Sequence, residues 1–243
     1  MKENQIIGEL VARDYRTASV FKKYSIDFCC QGNRTIEEAC EKKNIDTKKV
    51  LEDLVAMMEA KSESTTDYQS WPLDLLADYI EKKHHRYVQE KTLEIQPYLD
   101  KICKVHGERH PELLEIKEEF NASAGELAAH MKKEEMILFP FIRKMTKAKL
   151  ENTKVDAAHF GTVKNPIQMM MNEHTVEGNR FRKIEELSNN YTPPLDACNT
   201  YRVSFALLKE FEQDLHLHIH LENNILFPRA IEIEKELIQN LYA

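Results

Sequence analysis

Two stretches of this chain repeat one short pattern, and that repeat limits the possible folds more than any other feature. Residues 130–140 read HMKKEEMILFP and residues 218–228 read HIHLENNILFP. Each puts a His four residues before a Glu and closes on Leu-Phe-Pro. Positions four apart lie one turn apart on the same face of an α-helix, so His130 points with Glu134 and His218 with Glu222. Two such pairs facing each other can hold two metal ions between them. The chain is therefore expected to bring distant His and Glu side chains to one interior point on long helices.

Other features agree with helices. Only six Gly occur in 243 residues, and long stretches are rich in Leu, Glu, Lys, Ala and Met. The expected fold class is all-α: a small helical N-terminal domain over 1–60, a polar linker over 61–70 (KSESTTDYQS), and an up-down four-helix bundle over 71–243. In the first domain, helical patterns run through Ile6, Ile7, Leu10 and Val11 and around Ala18, Phe21 and Tyr24. Thr35 and Glu38 have the spacing of a capping box, and Asp46 is placed to cap a helix with Val50, Leu51, Leu54, Val55 and Met58 on one face. The four long helices are expected over 72–106, 111–147, from 165 to about 189, and from the Thr192-Pro193-Pro194 start to about 227. Gly107 is placed as a C-cap, and Pro228 as a kink.

Net charge is −7, from 34 basic and 41 acidic residues, which argues against nucleic acid as a partner. No apolar run approaches the roughly 20 residues that cross a bilayer, and the start MKENQIIGELV lacks the apolar core of a secretion signal. A cytoplasmic protein is expected, with no membrane partner. Five Cys is an odd number and only Cys29 and Cys30 are close in sequence, so reduced thiols are expected rather than a disulfide framework.

Taking one His per long helix selects His84, His130, His174 and His218, separated by 46, 44 and 44 residues. His84 lies 22 residues before the first helix end and His130 lies 19 residues after the second helix start. At 1.5 Å per residue these climbs differ by only about 5 Å, so the two imidazoles reach a similar height. Four imidazoles with Glu134 and Glu222 suit iron, manganese or zinc, and the lack of thiolate disfavours copper(I) and clusters. Two bridging Glu side chains would give each metal four protein donors and leave positions open. Glu126, one turn before His130, and Glu173, beside His174, are candidates to orient a ligand or relay protons. His85, His106, His110, His159, His216 and His220 are expected at the surface or behind the ligands. Phe139, Phe227 and Met169–Met171 are expected in the core, and Cys40, Cys103 and Cys198 in structural roles.

The turn DFCCQG, followed by HMKKEEMILFP, NEH and HIHLENNILFP, resembles the Repair of Iron Centers family. These are hemerythrin-like di-iron proteins with an N-terminal domain of the ScdA type, and the resemblance covers nearly the whole chain. It implies a hemerythrin-like bundle with two non-haem iron ions, oxo- or hydroxo-bridged, on His84, His130, Glu134, His174, His218 and Glu222, the two Glu bridging. Alignment with the family's first bundle helix favours His84 over the adjacent His85. One turn after His174, where oxygen-carrying hemerythrins have a second His, this chain has Gly178. The Cys29-Cys30 pair also matches the family. An adjacent pair forms only a strained, easily reduced disulfide. It could accept a metal or nitrosyl group, or exchange thiols, and small residues filling a turn is the competing reading. The implied function is repair of iron–sulfur clusters damaged by nitric oxide or oxidative stress, by donation of iron. Reduction of nitric oxide at the di-iron pair and gas sensing are the alternatives. Expected partners are damaged iron–sulfur proteins or cluster-assembly proteins, with NO or O₂ as gas ligand and a homodimer left open.

Overall fold

The computed structural model describes residues 1–60, 66–156 and 158–239. Among these residues the regular structure is helical and no strand occurs. The chain divides into two compact units: Met1–Leu76, Met145–Asp156 and Ile219–Ala243 form one, and Ala77–Lys144 with Ala157–His218 form the other. This division does not follow chain order. Residues 61–65 of the expected linker lie outside the described residues, and its remainder holds one 3₁₀ turn, Tyr68–Ser70, capped by Asp67.

In the first unit α1 (Ile7–Arg13) and α2 (Thr17–Lys23) bury Ile7, Leu10, Val11, Ala18, Val20 and Phe21. The capping box forms as its spacing predicts. Thr35 Oγ1 accepts from the Glu38 N–H, Glu38 Oε2 accepts from the Thr35 N–H, and α3 (Ile36–Lys43) starts there. Asp46 caps α4 (Thr47–Glu59) by accepting from the Lys48 N–H. The apolar face of α4 is narrower than the sequence pattern: Val50 and Leu54 are buried, whereas Val55 and Met58 are exposed. Between α2 and α3 the chain turns through Asp27–Gly32. Asn223 and Asn224, also in this unit, donate to the carbonyls of Cys29 and Phe28.

The longer helices carry local departures that periodicity does not reveal. α5 (Leu73–Tyr79) passes through a π-helical turn, Ile80–His85, into α6 (Arg86–His106). α7 (Glu112–Lys133) passes through a second, Glu134–Leu138, into α8 (Phe139–Glu151). After α9 (Lys164–Leu187), α10 (Asn199–Leu221) passes through a third, Glu222–Leu226, into α11 (Phe227–Gln239). In the latter two turns the N–H of Phe139 reaches Glu134 O and that of Phe227 reaches Glu222 O. The next residues, Pro140 and Pro228, have no N–H, and a proline ring crowds the carbonyl four residues back. The wider turn absorbs that conflict, so the helix continues through Pro228.

α6, α7, α9 and α10 pack side by side. Tyr87 Oη donates to Glu210 on α10 at 3.0 Å, and Lys183 on α9 reaches Glu115 and Glu119 on α7. Phe211 meets Phe120 edge-on at 5.3 Å and stacks on Phe181 at 5.5 Å, which joins α7, α9 and α10 through one aromatic core. α10 starts at Asn199 rather than at the expected Thr192-Pro193-Pro194. Asn189, Asn190 and Tyr191 all take positive φ (49°, 57° and 55°), which stops α9 sharply. Pro193 and Pro194 follow, each disfavouring helix at the residue before it, and a turn closes from the Ala197 N–H to the Pro194 carbonyl before α10 begins.

A Cβ on Gly32 would fall well inside contact distance of the Phe28 carbonyl oxygen, a backbone atom that cannot swing aside. Gly32→Ala is therefore expected to destabilise the first unit by about 1–3 kcal/mol, seen as a lowered midpoint in thermal unfolding. An unchanged midpoint would show that the turn tolerates a side chain there.

Candidate metal centre

Five donors from four helices meet in the second unit. His85 ends the first π-turn, His130 lies on α7, Glu134 opens the second π-turn, and His174 and His218 lie on α9 and α10. All are buried, and Glu134 has 0% exposure. Glu134 Oε2 lies 3.3 Å from His130 Nε2 and 3.4 Å from His85 Nε2. The Nε2 atoms of His130 and His174 face each other at 3.0 Å, and the rings of His85 and His218 lie 5.0 Å apart. His85, Glu134 and His218 thus form one group and His130, Glu134 and His174 another, with ligand atoms within 4.8 Å in each. Glu134 belongs to both.

These distances suit cations. Two nitrogens at right angles on one ion, with bonds of about 2.1 Å, stand about 3 Å apart, close to the His130–His174 separation. A buried carboxylate ringed by imidazole nitrogens is the donor set of iron, manganese or zinc, and one carboxylate shared by two His pairs fits a di-iron centre.

Carboxylates on the outer ring nitrogens set the inward direction. His130 Nδ1 meets Glu173 at 2.7 Å and His85 Nδ1 meets Glu135 at 2.8 Å. With Nδ1–H donated outward, each Nε2 lone pair is left to face Glu134. Glu173 also takes the Lys133 ammonium. The His130 hydrogen bond, with Lys133 adding to it against the effect of burial, lowers the Glu173 carboxyl to about 2. Glu173 therefore stays charged at neutral pH and suits holding His130. Glu126 lies on the surface, bonded to Arg180 at 3.0 Å. Glu177, which no sequence motif marks, is buried, accepts from Ser123 Oγ at 2.5 Å and meets Arg180 at 3.3 Å. Burial raises its carboxyl above the usual range, although Ser123 and Arg180 oppose that. Glu126, Lys133, Glu173 and Glu177 line a cavity of about 220 Å³ that reaches His130 and His174.

Residues 76–230 match the hemerythrin HHE cation binding domain, and residues 3–58 match ScdA_N, a domain of unknown function. Over 231 residues the chain is 35% identical to the "Iron-sulfur cluster repair protein YtfE" of Yersinia pestis (strain Pestoides F), covering 95% of this chain and 98% of that one. The protein of the same name from Yersinia pseudotuberculosis serotype IB (strain PB1/+) is 34% identical over the same coverage. This chain belongs to the iron–sulfur cluster repair family. It carries that family's hemerythrin-type cation-binding domain, and the buried His/Glu groups described above lie within it.

Among the expected ligands, the structure brings His130, Glu134, His174 and His218 together but leaves His84 out of both groups. His84 Nδ1 faces Asp214 at 3.0 Å and its ring stacks on His218 at 5.7 Å, while its Nε2 is buried with no hydrogen-bond partner. The neighbouring His85 occupies the position on Glu134 instead. Both imidazoles are buried, and the π-turn Ile80–His85 is the physical reason that His85 is the one beside Glu134: a turn wider than 3.6 residues rotates the side chains that follow it. The one sequence signal for His85 is Glu135, the acid beside Glu134 that receives its outer nitrogen. Glu222 is fully buried one turn after His218 and opens the third π-turn, as Glu134 opens the second. Two expected surface or supporting histidines, His106 and His220, are buried. Cys40 is buried, Cys103 Sγ donates to the Leu113 carbonyl, and Cys198 Sγ, on an exposed residue, meets His106 Nε2.

His85→Ala is expected to remove about half of the bound metal in the reconstituted protein, and His84→Ala to retain nearly all of it, by metal analysis of the folded variants. The reverse pattern would restore His84 as the ligand.

Proposed function

We propose that this chain holds two iron ions at the buried centre and gives them up to rebuild damaged iron–sulfur clusters. The observation that carries the reading is one fully buried carboxylate, Glu134, shared by two groups of imidazoles with no thiolate among them. The names of the Yersinia relatives point the same way. In this reading the ligands are His85, His130, Glu134, His174 and His218, with Glu222 as the second bridging carboxylate. Support for Glu222 is its repeat of the His130–Glu134 spacing, its burial and its matching π-turn.

Iron bound there would supply exchangeable metal and redox chemistry. The protein's part is to hold that iron firmly enough to carry it and loosely enough to release it. Four protein donors per ion, from two His and two shared carboxylates, meet both needs. Gly178, buried one turn after His174, offers no further ligand. Glu173 and Glu135 hold two of the imidazoles, and the cavity at His130 and His174 gives a route from outside. The proposed targets are damaged iron–sulfur proteins. The proposed setting is the cytoplasm, where all five cysteines, free in the structure, would remain reduced. No helix among the described residues is long and apolar enough to cross a membrane.

Anaerobically purified protein is expected to contain about two iron per chain and to restore activity to a nitric oxide-damaged iron–sulfur dehydratase. Recovery with free ferrous iron but not with the iron-loaded protein would end the donor reading. The double change Cys29→Ser, Cys30→Ser is expected to keep the iron of the centre and slow repair. Loss of that iron would refute the separate roles of the two units.

The same cavity favours a second reading, reduction of nitric oxide. A small gas entering there would meet the His130 and His174 face, and Glu177, whose carboxyl is raised by burial, suits proton delivery better than the charged Glu173 or the solvated Glu126. Anaerobic incubation of the iron-loaded protein with nitric oxide is expected to yield nitrous oxide on this reading, and its absence would remove it.

A further inference from the structure

A second place in the molecule has the dimensions of a metal site, independently of the reading above. Asp27, Cys29 and Cys30, in the turn between α2 and α3, present ligand atoms within 4.8 Å of one another. The two Sγ atoms are 3.7 Å apart, and Asp27 Oδ1 lies 3.5 Å from Cys29 Sγ. Two thiolates on one tetrahedral ion, with bonds of about 2.3 Å, stand about 3.75 Å apart. A thiolate and a carboxylate oxygen on the same ion, with a metal–oxygen bond of about 2.0 Å, stand about 3.5 Å apart. Both edges match. A disulfide would instead need the sulfurs at about 2.05 Å.

The turn is held in this shape before any ion arrives. Asp27 Oδ1 accepts the backbone N–H of Cys30 at 2.9 Å, of Cys29 at 3.2 Å and of Gln31 at 3.4 Å. These bonds fold the backbone so that both sulfurs stand near the carboxylate. From behind, Asn223 Nδ2 donates to the Cys29 carbonyl at 3.1 Å and Asn224 Nδ2 to the Phe28 carbonyl at 3.3 Å. The Phe28 ring packs against both Tyr15 and His220, which also touch each other. Cys29 is buried and Cys30 is half-exposed, so the site is walled on one side and open on the other.

We propose that Asp27, Cys29 and Cys30 form a second metal site, which takes one thiophilic divalent cation of the zinc or ferrous class in tetrahedral coordination, with its fourth position open to water or an incoming ligand. On binding, the two thiols release their protons to solvent and the sulfurs become the ligands. The cation then replaces the Cys29 S–H contact with Asp27. Two thiolates and one carboxylate select against magnesium and calcium, which prefer oxygen donors throughout.

Cobalt(II) is the probe. Bound by thiolate it gives a near-ultraviolet sulfur-to-metal charge-transfer band, whereas His and carboxylate donors at the buried centre give none. Titration of the full-length reduced protein is expected to develop this band and to saturate it at about one thiolate-bound cobalt per chain. Cys29→Ser and Cys30→Ser should each abolish the band while keeping cobalt at the His centre, and Asp27→Asn should weaken its development about tenfold. Cys198→Ser should leave it unchanged. Circular dichroism checks that each variant keeps its helices, and if the buried Cys29→Ser variant misfolds, the half-exposed Cys30→Ser variant decides. No band in the wild-type protein, or a band that survives in Cys30→Ser, would overturn the proposal.

Discussion

Glu134 has none of its surface in water, and a carboxylate so placed is costly unless cations or hydrogen bonds answer it. Much of the second unit serves that one group. Three helices bring His85, His130 and His174 to its level, and a fourth places His218 beside His85. The Phe120, Phe181 and Phe211 core joins three of those helices. Glu135 and Glu173 hold the outer nitrogens so that the inner ones stay available.

The two copies of the repeat diverge where their surroundings differ. After Glu134 comes Glu135, whose carboxylate takes His85 Nδ1, and then Met136, which is 73% exposed. After Glu222 come Asn223 and Asn224, whose amides hold the carbonyls of the cysteine turn. The same step along the helix thus steadies an imidazole beside Glu134 in one copy and anchors the N-terminal turn in the other. Gly32 lets the turn close this tightly beside Asn224, because a Cβ there would strike the Phe28 carbonyl oxygen and crowd the Asn224 side chain.

Much of this was legible in the chain. The capping box at Thr35–Glu38 and the cap at Asp46 are local patterns of side chain and backbone, and both formed as their spacing predicts. His130, Glu134, His174 and His218 followed from helical periodicity and near-equal intervals, which survive folding because the long helices are nearly regular over those spans. Other features could not be read locally. The wide turn Ile80–His85 buries both imidazoles and stands His85, not His84, beside Glu134. The left-handed run Asn189–Tyr191 delayed α10 to Asn199. Glu177 gained importance only from what packs around it, Ser123 and Arg180.

By itself the sequence determined which His and Glu side chains share a helix face and that they ride on helices. Donor type and one-turn spacing are properties of the covalent chain and of α-helix geometry. Only the tertiary structure decided which of two adjacent buried imidazoles stands beside Glu134, which carboxylates meet an imidazole, and how close the Cys29 and Cys30 sulfurs come. Those outcomes depend on distances between segments far apart in the chain, and on burial and neighbouring charge, which exist only once the helices have packed.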